Sequence, residues 1–435
     1  MTEPLTAARA LLRGVYLDAL ESVRGERLME ALGRPDGDLW RIRHNGVAID
    51  WRLPWDGRVV VIGAGKAVGS LARGLETILG DRIDDGCVIV KHGHHEALTR
   101  IRQFEAGHPV PDQAGVLATQ AMLRTVEGLT EHDSVIVLLT GGASALMVAP
   151  VNGVTLGEKA AATEMLLRSG ASIEEINRVR KRLSLVKGGR LLDHVGKASV
   201  LTLLISDVPS GDASMVGSGP TIASRDDDAA CDIFARYRVE DRVAPSILHC
   251  LSGETSTPAV ARERTASLLL ADSMTLVRAV HRIAANRGLT VRNVDVSMTG
   301  NTHDAAHAMA AALLATPAAD RPALLVSAGE TTLQVAGDGR GGRNQEFALV
   351  AGLALAGTND VALLAAGTDG TDGPTDAAGA FADGLLVRRA AAVDVDPREM
   401  LERNNSYGLF EQTCDLFHTG PTGTNVMDLV LGLAF

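Results

Sequence analysis

The first part of the chain alternates between residues with helical spacing and short apolar runs. Apolar residues at positions 5, 8, 12, 16, 19 and 23 predict an amphipathic helix or helix pair over residues 5–32. The runs that follow, with helical stretches between them, are RVVVIG (58–63), GCVIVKHG (86–93), SVIVLLTGG (134–142) and LTLLISDVP (201–209). Because these runs do not alternate with polar residues, they predict a parallel sheet covered on both faces, a doubly wound, Rossmann-like α/β/α domain.

A second series of strands and helices comes after a charged, poorly patterned stretch at residues 224–264. The predicted strands are LLLADS (268–273), TVRNVDV (290–296), PALLVSAGE (322–330), TTLQVAG (331–337) and DVALLAAGTDG (360–370), and the predicted helices span 304–315 and 344–355. We therefore predict a first domain over residues 1–250 and a second α/β domain over residues 265–435. We allow for the last segment of the chain packing back on the first domain.

Composition and charge argue against several classes of protein. A formal net charge of −11 argues against nucleic-acid binding, and four cysteines without a CxxC pair argue against a structural zinc site. The N-terminus lacks the apolar core of a signal peptide, and no window approaches the roughly 20 apolar residues of a membrane span. We expect a cytoplasmic protein, without nucleic-acid or membrane partners, whose clustered glycines form loops that approach a ligand.

The loop after the first apolar strand combines glycines with a lysine. Gly63, Gly65, Lys66 and Gly69 form a GxGxxxG pattern that is close to a dinucleotide fingerprint. The acidic residue that binds the ribose of NAD is missing, because the next strand ends at Lys91. This disfavours an NAD site and leaves an NADP site open. We expect Lys66 to lie at a helix N-terminus and to bind an anion, and the alternative is a surface lysine on a structural turn.

Two further loops of the first half carry hydroxyl groups or cations beside glycines. Gly141, Gly142 and Ser144 follow the third strand and predict a phosphate or carboxylate site, with a tight structural turn as the alternative. The basic run at residues 178–190 would cover more than one face of a helix, so most of its side chains are expected in solvent. Lys187 and Arg190 flank a Gly-Gly pair, and for these two we predict ligand contact.

The most specific stretch is GDGRGGRNQE at residues 337–346, where four glycines lead into an apolar helix. Arg343 precedes this helix, where its guanidinium can bind a phosphate or carboxylate bidentately. We predict that Gly341, Gly342, Asn344 and Gln345 contribute to the same site. A purely structural turn would not require this combination of side chains.

Three carboxylates follow predicted strands and are candidate ligands of Mg²⁺. They are Asp207, Glu330 and Asp369. Oxygen ligands at strand ends suit this ion, although aspartates at such positions also cap helices.

Taken together, the loops resemble those of the class II glycerate kinases, whose C-terminal domain is the MOFRL domain and some of whose members are called hydroxypyruvate reductases. The matching motifs are GAGKA (63–67), GHPVPD (107–112), TGGASAL (140–146), NRVRKRLSLVKGGRL (177–191), SDVPSGDASMVGSGPT (206–221), GRGGRNQEFAL (339–349), GTDGTDGPTDAAGA (367–380) and HTGPTGTNVMDL (418–429). They cover nearly the whole chain in order. One departure is Ala328, where the family more often has glycine.

The resemblance implies that ATP, with Mg²⁺, phosphorylates D-glycerate at its 2-hydroxyl to give 2-phosphoglycerate and ADP. It also implies catalytic roles for Lys66 and Arg343, and an active site in the cleft between the two domains in which they lie. An NAD(P)H-dependent hydroxypyruvate reductase is the alternative function. Either a monomer or a homodimer is compatible with the sequence.

Overall fold

The computed structural model describes residues 3–209, 212–222, 230, 232–252 and 264–435. The helices are α1 (Glu3–Ser22), α2 (Gly25–Ala31), α3 (Val68–Leu79), α4 (Gln113–Thr125), α5 (Ala143–Leu146), α6 (Leu156–Arg168), α7 (Ile173–Arg182), α8 (Leu191–His194), α9 (Asp232–Arg236), α10 (Pro245–Ser252), α11 (Ser273–Asn286), α12 (Thr302–Leu314), α13 (Arg343–Ala354), α14 (Leu386–Ala391), α15 (Pro397–Glu402) and α16 (Ser406–Thr413). The strands are β1 (Leu39–His44), β2 (Val47–Arg52), β3 (Val59–Ala64), β4 (Asp85–Lys91), β5 (Arg102–Ala106), β6 (Ser134–Leu139), β7 (Ser199–Ile205), β8 (Thr265–Ala271), β9 (Thr290–Met298), β10 (Ala323–Gly329), β11 (Val361–Gly367), β12 (Gly379–Asp383), β13 (Leu416–Phe417) and β14 (Asp428–Ala434). The predicted N-terminal helix pair is confirmed as α1 and α2.

The chain forms two compact units that do not follow its linear order. The N-terminal unit comprises Leu28–Ile205 and Asp212–Leu270, and the C-terminal unit comprises Met1–Arg27, Ser206–Gly211 and Ala271–Phe435. The sequence put the first 27 residues in the first domain, whereas the structure places them in the C-terminal unit. Part of the stretch in which we predicted the domain boundary, residues 224–229, 231 and 253–263, lies outside the described residues.

The N-terminal unit contains a six-stranded sheet in the order β5-β4-β3-β6-β7-β8. The strands from β5 to β7 pair in parallel, which confirms the predicted parallel sheet, and every residue of β3, β6 and β7 is buried. The chain runs outward from β3 to β5 and then returns to β6 beside β3. The LLLADS run, predicted for the second domain, instead contributes its first four residues to β8 at the edge of this sheet.

The C-terminal unit contains a second six-stranded sheet in the order β13-β12-β11-β14-β10-β9. Only β9 and β10 pair in parallel, and every other neighbouring pair is antiparallel. The last strand, β14, lies between β11 and β10 in the middle of this sheet. The predicted strand at 331–337 does not form: the chain turns at Gly329, Thr332 makes a single bridge, and Val335 is 66% exposed with no face to pack on.

Buried ion pairs explain why α1 belongs to the C-terminal unit. Arg9 Nη1 lies 2.5 Å from Asp415 Oδ1, and Arg9 Nη2 lies 2.5 Å from Asp383 Oδ2. Arg389 contacts the same two carboxylates, which are almost fully buried. Unpaired carboxylates in the interior would be costly, so both arginines are needed to balance the charge.

The cores of both units are largely aliphatic, as an aromatic content of 3% requires. In the C-terminal unit, α12 and α13 pack on the sheet through leucine, valine and alanine side chains. Within the described residues, no helix combines the length and apolar character needed to cross a membrane.

Candidate active site

The turn after β3 holds Lys66 through backbone contacts with the turn after β6. The Lys66 amide donates to the Gly141 carbonyl at 2.9 Å, and the Ala67 amide donates to Thr140 Oγ1 at 3.1 Å. We predicted that Lys66 lies at a helix N-terminus, where amide groups are available to an anion, but these two amides are engaged and α3 begins only at Val68. Any attraction of an anion to this turn therefore rests mainly on the half-buried Lys66 side chain.

Gly65 is required at its position by both conformation and space. Its φ of +142° lies in the region that favours glycine, and a Cβ atom there would lie 2.0 Å from Thr140 Oγ1. Gly63, one residue before the end of β3, is equally close to its neighbour, because an added Cβ would lie 2.3 Å from the Leu138 carbonyl oxygen. These glycines allow the two turns to approach each other.

The turn after β6 brings Gly142 against two side chains. A Cβ atom on Gly142 would lie 3.1 Å from Lys66 Cγ and 3.0 Å from His108 Cδ2. Lys66 and His108 therefore both extend along this turn, at the point where the strand order of the sheet reverses. Open α/β sheets bind ligands at such a point. The sequence left open whether His108 contacts a ligand or belongs to a turn shaped by its neighbouring prolines, and nothing local indicates that it contacts the Lys66 turn.

Ser144, in the short helix α5, accepts hydrogen bonds from two cations. Arg180 Nη2 donates to Ser144 Oγ at 2.9 Å, and Lys187 Nζ donates both to Ser144 Oγ and, at 2.6 Å, to the Ser144 carbonyl oxygen. Ser144 Oγ also lies 3.0 Å from Ser218 Oγ. The structure thus brings together two predicted site residues, Ser144 and Lys187, and adds Arg180, which we had expected in solvent.

The environment of these cations is poor in compensating charge. Burial, followed by the proximity of Lys159 and Arg180, holds the pKa of Lys187 well below its usual value. Burial also lowers the pKa of Lys159 to about 7, with Arg180 and Arg190 contributing in the same direction. Among the described residues, no carboxylate acts against these shifts.

Arg190, for which we predicted ligand contact, donates to two backbone carbonyls. Its Nη1 donates to the backbone carbonyls of Lys181, at 2.5 Å, and Ser184, at 3.3 Å. The guanidinium therefore binds the chain at the end of α7 and contributes positive charge near Lys159.

Arg343, the first residue of α13, is held by two carboxylates. Its Nε and Nη2 donate to Asp428 at 2.5 and 3.0 Å, and its Nη1 lies 2.7 Å from Glu330 Oε1. Burial opposes the charged form, but Asp428 and then Glu330 raise the pKa of Arg343, which stays protonated. Among the described residues, these contacts use three of its five N–H groups.

Asn344 and Gln345 bind the buried carboxylate of Asp372, one of three aspartates at positions 369, 372 and 376 that the sequence left open between polar-ligand contacts and a solvated turn. Asp372 accepts hydrogen bonds from the backbone amides of both residues, at 3.1 and 2.8 Å, and from both of their side-chain amides. Burial, with a smaller contribution from Asp428, raises the pKa of Asp372 to about 6. Asp372 thus fixes the start of α13, and with it the position of Arg343.

The turn before α13 depends on close approach of the backbone. A Cβ atom on Gly342 would lie 2.3 Å from Asp372 Cγ, and one on Gly341 would lie 2.2 Å from Ser406 Oγ. Both glycines therefore serve to seat the start of α13.

The three candidate metal ligands all lie in the C-terminal unit, where each has a different partner. Asp207 Oδ2 accepts from Asn425 Nδ2 at 3.2 Å, Glu330 pairs with Arg343, and Asp369 Oδ1 accepts from the Thr371 amide at 3.0 Å. Over the described residues, no three histidine, cysteine, aspartate or glutamate side chains are grouped so that they could hold a metal ion.

Comparison with known proteins gives a consistent result over almost the whole chain. The model described as "Domain of unknown function (DUF4147)" matches residues 11–252, and the MOFRL family model matches residues 323–428. A protein named D-glycerate 2-kinase from Thermotoga maritima is 38% identical over 382 residues, which cover 86% of this chain and 90% of the relative. The chain belongs to the DUF4147–MOFRL glycerate kinase family.

Other members of the DUF4147–MOFRL family extend this result. A protein from Agrobacterium vitis that carries the name putative hydroxypyruvate reductase is 40% identical, over 86% of this chain and 98% of its own length. The crystal structure of a Thermotoga maritima glycerate kinase superimposes with a TM-score of 0.84 and 35% identity, covering 99% of this chain and all of that one. The α/β class of the fold is thereby confirmed.

Proposed function

We propose that the chain is a glycerate 2-kinase, which transfers a phosphoryl group from ATP to the 2-hydroxyl of D-glycerate and yields 2-phosphoglycerate and ADP. The position of Lys66 carries this proposal: its side chain extends along the Gly142 turn where the strand order of a parallel sheet reverses. The names of the relatives, glycerate kinases over matching lengths, support the same reaction class.

Phosphoryl transfer depends on positioning and charge stabilisation more than on covalent chemistry. Lys66 and Arg343 supply positive charge for the two anionic groups of the reaction, the glycerate carboxylate and the transferring phosphoryl group. Asp428 and Glu330 orient the Arg343 guanidinium.

The glycine turns have a supporting role in this proposal. Gly63, Gly65, Gly141 and Gly142 form the turns beside Lys66, and Gly341, Gly342, Asn344 and Gln345 form the start of α13 beside Arg343. Ser144, Lys187 and Arg190 provide hydroxyl and cationic groups for substrate or phosphate. Preorganised turns of this kind keep charged groups in place without reorganisation during the reaction.

Nucleotide sites usually bind Mg²⁺ through one or two carboxylates together with the phosphates of the nucleotide. The three candidate carboxylates of this chain suit such a site. Asp207, Glu330 and Asp369 are the residues assigned to it. Asp207 is half-buried and accepts a hydrogen bond from Asn425, whereas Glu330 pairs with Arg343. When bound with ATP, the ion neutralises charge on the phosphates.

Two parallel assays test the proposed function. D-Glycerate with ATP and Mg²⁺ is followed through ADP release, and hydroxypyruvate with NADPH or NADH is followed through absorbance. We expect ADP release only with glycerate present, and a phosphorus NMR spectrum of the product that matches 2-phosphoglycerate. Oxidation of NAD(P)H without ADP release would show that the chain is a hydroxypyruvate reductase and not a kinase. Lys91 at the end of β4 disfavours the NAD-dependent form, because a carboxylate is needed there.

A further inference from the structure

The cations around Ser144 form a cluster whose charge exceeds that of its described surroundings. Arg180 and Lys187 both donate to Ser144 Oγ, and Lys187 is 2% exposed. Lys159, 7% exposed, donates from Nζ to the Leu183 carbonyl at 3.0 Å and lies close enough to lower the pKa of Lys187. Neutral hydroxyl and carbonyl oxygens are therefore the acceptors that these contacts provide, and no described carboxylate balances the charge.

Such a cluster is unfavourable by itself and favourable once an anion binds. A guanidinium cannot release its proton, so Arg180 stays charged, and buried cations are normally paired. A single carboxylate would balance only one cation. A phosphate carries about −1.5 to −2 charges at neutral pH and accepts hydrogen bonds through three oxygens. The number of cations and the hydroxyl groups of Ser144 and Ser218 therefore match a phosphate better than a carboxylate.

We infer that Lys159, Arg180, Lys187 and Ser144 form a binding site for a phosphate dianion, and that its ligand is a phosphate of the ATP polyphosphate. Arg180 and the Ser144 hydroxyl contact the anion, while Lys159 and Lys187 are positioning residues that act through charge and through Ser144. The identity of the ligand as ATP rests on the proposed function, whereas the existence of the anion site does not.

Inorganic phosphate alone tests the site without reference to turnover. We expect millimolar phosphate to raise the melting temperature of the wild-type chain, because a ligand that binds the folded state stabilises it in proportion to ln(1 + [L]/Kd). R180Q and S144A are expected to raise the Kd of phosphate at least tenfold. R178Q, on the exposed face of the same helix, is the matched control and is expected to keep the wild-type Kd within twofold.

If R180Q and S144A both bind phosphate like the wild type, the site does not exist. Each Kd is derived from the rise in melting temperature above that variant's own value without phosphate, so a change in folding stability does not enter the comparison. R180K provides a second variant, which keeps the positive charge. R180K is expected to recover part of the affinity. If R180K and R178Q lost affinity for phosphate equally, the proposal would also be overturned, because any substitution in helix α7 would then weaken phosphate binding.

Steady-state kinetics determine whether the anion site binds ATP or the acceptor, D-glycerate. We expect R180Q to raise KM for ATP at least tenfold and to leave KM for D-glycerate within twofold. A rise in KM for D-glycerate with unchanged KM for ATP would overturn the assignment to ATP. If the wild type shows no glycerate kinase activity at all, the proposed function fails, and the phosphate titration still decides whether the anion site is present.

Discussion

Arg343 donates through two nitrogens to Asp428, the first residue of β14, and this aspartate pairs in register with Gly329 on one side and Gly367 on the other. The central strand of the C-terminal sheet therefore fixes the orientation of the guanidinium. Two of the carboxylates assigned to Mg²⁺, Glu330 and Asp369, follow the same two neighbouring strands. A single strand thus sets the geometry of several groups of the candidate site.

Replacing Asp428 by asparagine should reduce turnover far more than it reduces binding of glycerate. D428N keeps the size of the side chain but removes the charge that orients Arg343, and we expect kcat to fall at least 100-fold. Loss of one partner of a buried ion pair also costs about 3–5 kcal/mol of unfolding free energy, so urea unfolding is measured in parallel. D320N, which removes an exposed partner of Arg292, is the control and should leave kcat unchanged. Wild-type kcat in D428N would contradict the positioning role.

Replacing Lys66 or Arg343 by alanine should remove most activity while the chain still folds. We expect each variant to lower kcat/KM at least 1000-fold, because each removes a charge that the reaction requires. A rise confined to KM for glycerate would assign that cation to the carboxylate, whereas a fall confined to kcat would assign it to the phosphoryl group. Lys197 is exposed, and K197A serves as the control. Near-normal rates in both variants would refute the proposed function.

Substitution of Gly65 should be far more destabilising than substitution of Gly33. Both have positive φ, but a Cβ atom on Gly65 would clash with Thr140, whereas nothing lies within 4 Å of one on Gly33. We expect G33A to cost about 1 kcal/mol for its left-handed conformation, and G65A to cost about 3 kcal/mol or more. Urea unfolding of the two variants checks this. Equal losses would show that the turns after β3 and β6 are less closely packed than described.

The buried carboxyl of Asp372 should make stability depend on pH. Its pKa of about 6 in the folded chain exceeds its ordinary value of 3.8, so between these values the folded state binds a proton that the unfolded state does not. Stability from this group should therefore rise as pH falls from about 6.5 to 4, by up to about 3 kcal/mol. Urea unfolding from pH 4 to 7.5 should show this slope in the wild type, and D372N should lack it. An identical slope in D372N would assign the dependence to other groups.

Sulfate binding should weaken as pH rises above about 7. Sulfate stays a dianion over this range, so its own charge does not change, whereas Lys159 has a pKa of about 7 in the folded chain. Its charged neighbours are Arg180 and Arg190, and Lys187 faces Lys159 and Arg180. An anion favours the protonated lysines, so binding takes up protons, and affinity should fall by up to tenfold per pH unit for each proton taken up. Calorimetry with sulfate at pH 6–9 measures this. K159M should flatten the profile, and an unchanged profile would show that Lys159 does not titrate with binding.

Strands β3, β4, β6 and β7 of the N-terminal sheet could be predicted because burial on both faces leaves a local mark, a continuous apolar run, whereas the more exposed β5 lacks one. The antiparallel order of the C-terminal sheet leaves no such mark, since β14 pairs with β10 and β11, which come much earlier in the chain. The residues of the candidate site likewise divide into those that local sequence indicates and those that only tertiary contacts bring in. Glycine turns indicated Lys66 and Arg343, but Arg180 meets a serine 36 residues away and Arg343 meets an aspartate 85 residues away. Contacts of that length depend on tertiary structure, which spacing alone does not contain.

The ion pairs of Arg9 have a consequence for the time course of synthesis. Arg9 is separated from Asp415 by 406 residues, and a ribosome that adds 5–20 residues per second needs about 20–80 s to cover that distance. During this interval α1 has been made while its partners in the C-terminal unit have not. Its apolar face, including the buried Leu12 and Tyr16, lacks these contacts for that long, so α1 reaches its final contacts only after the C-terminal unit has been made.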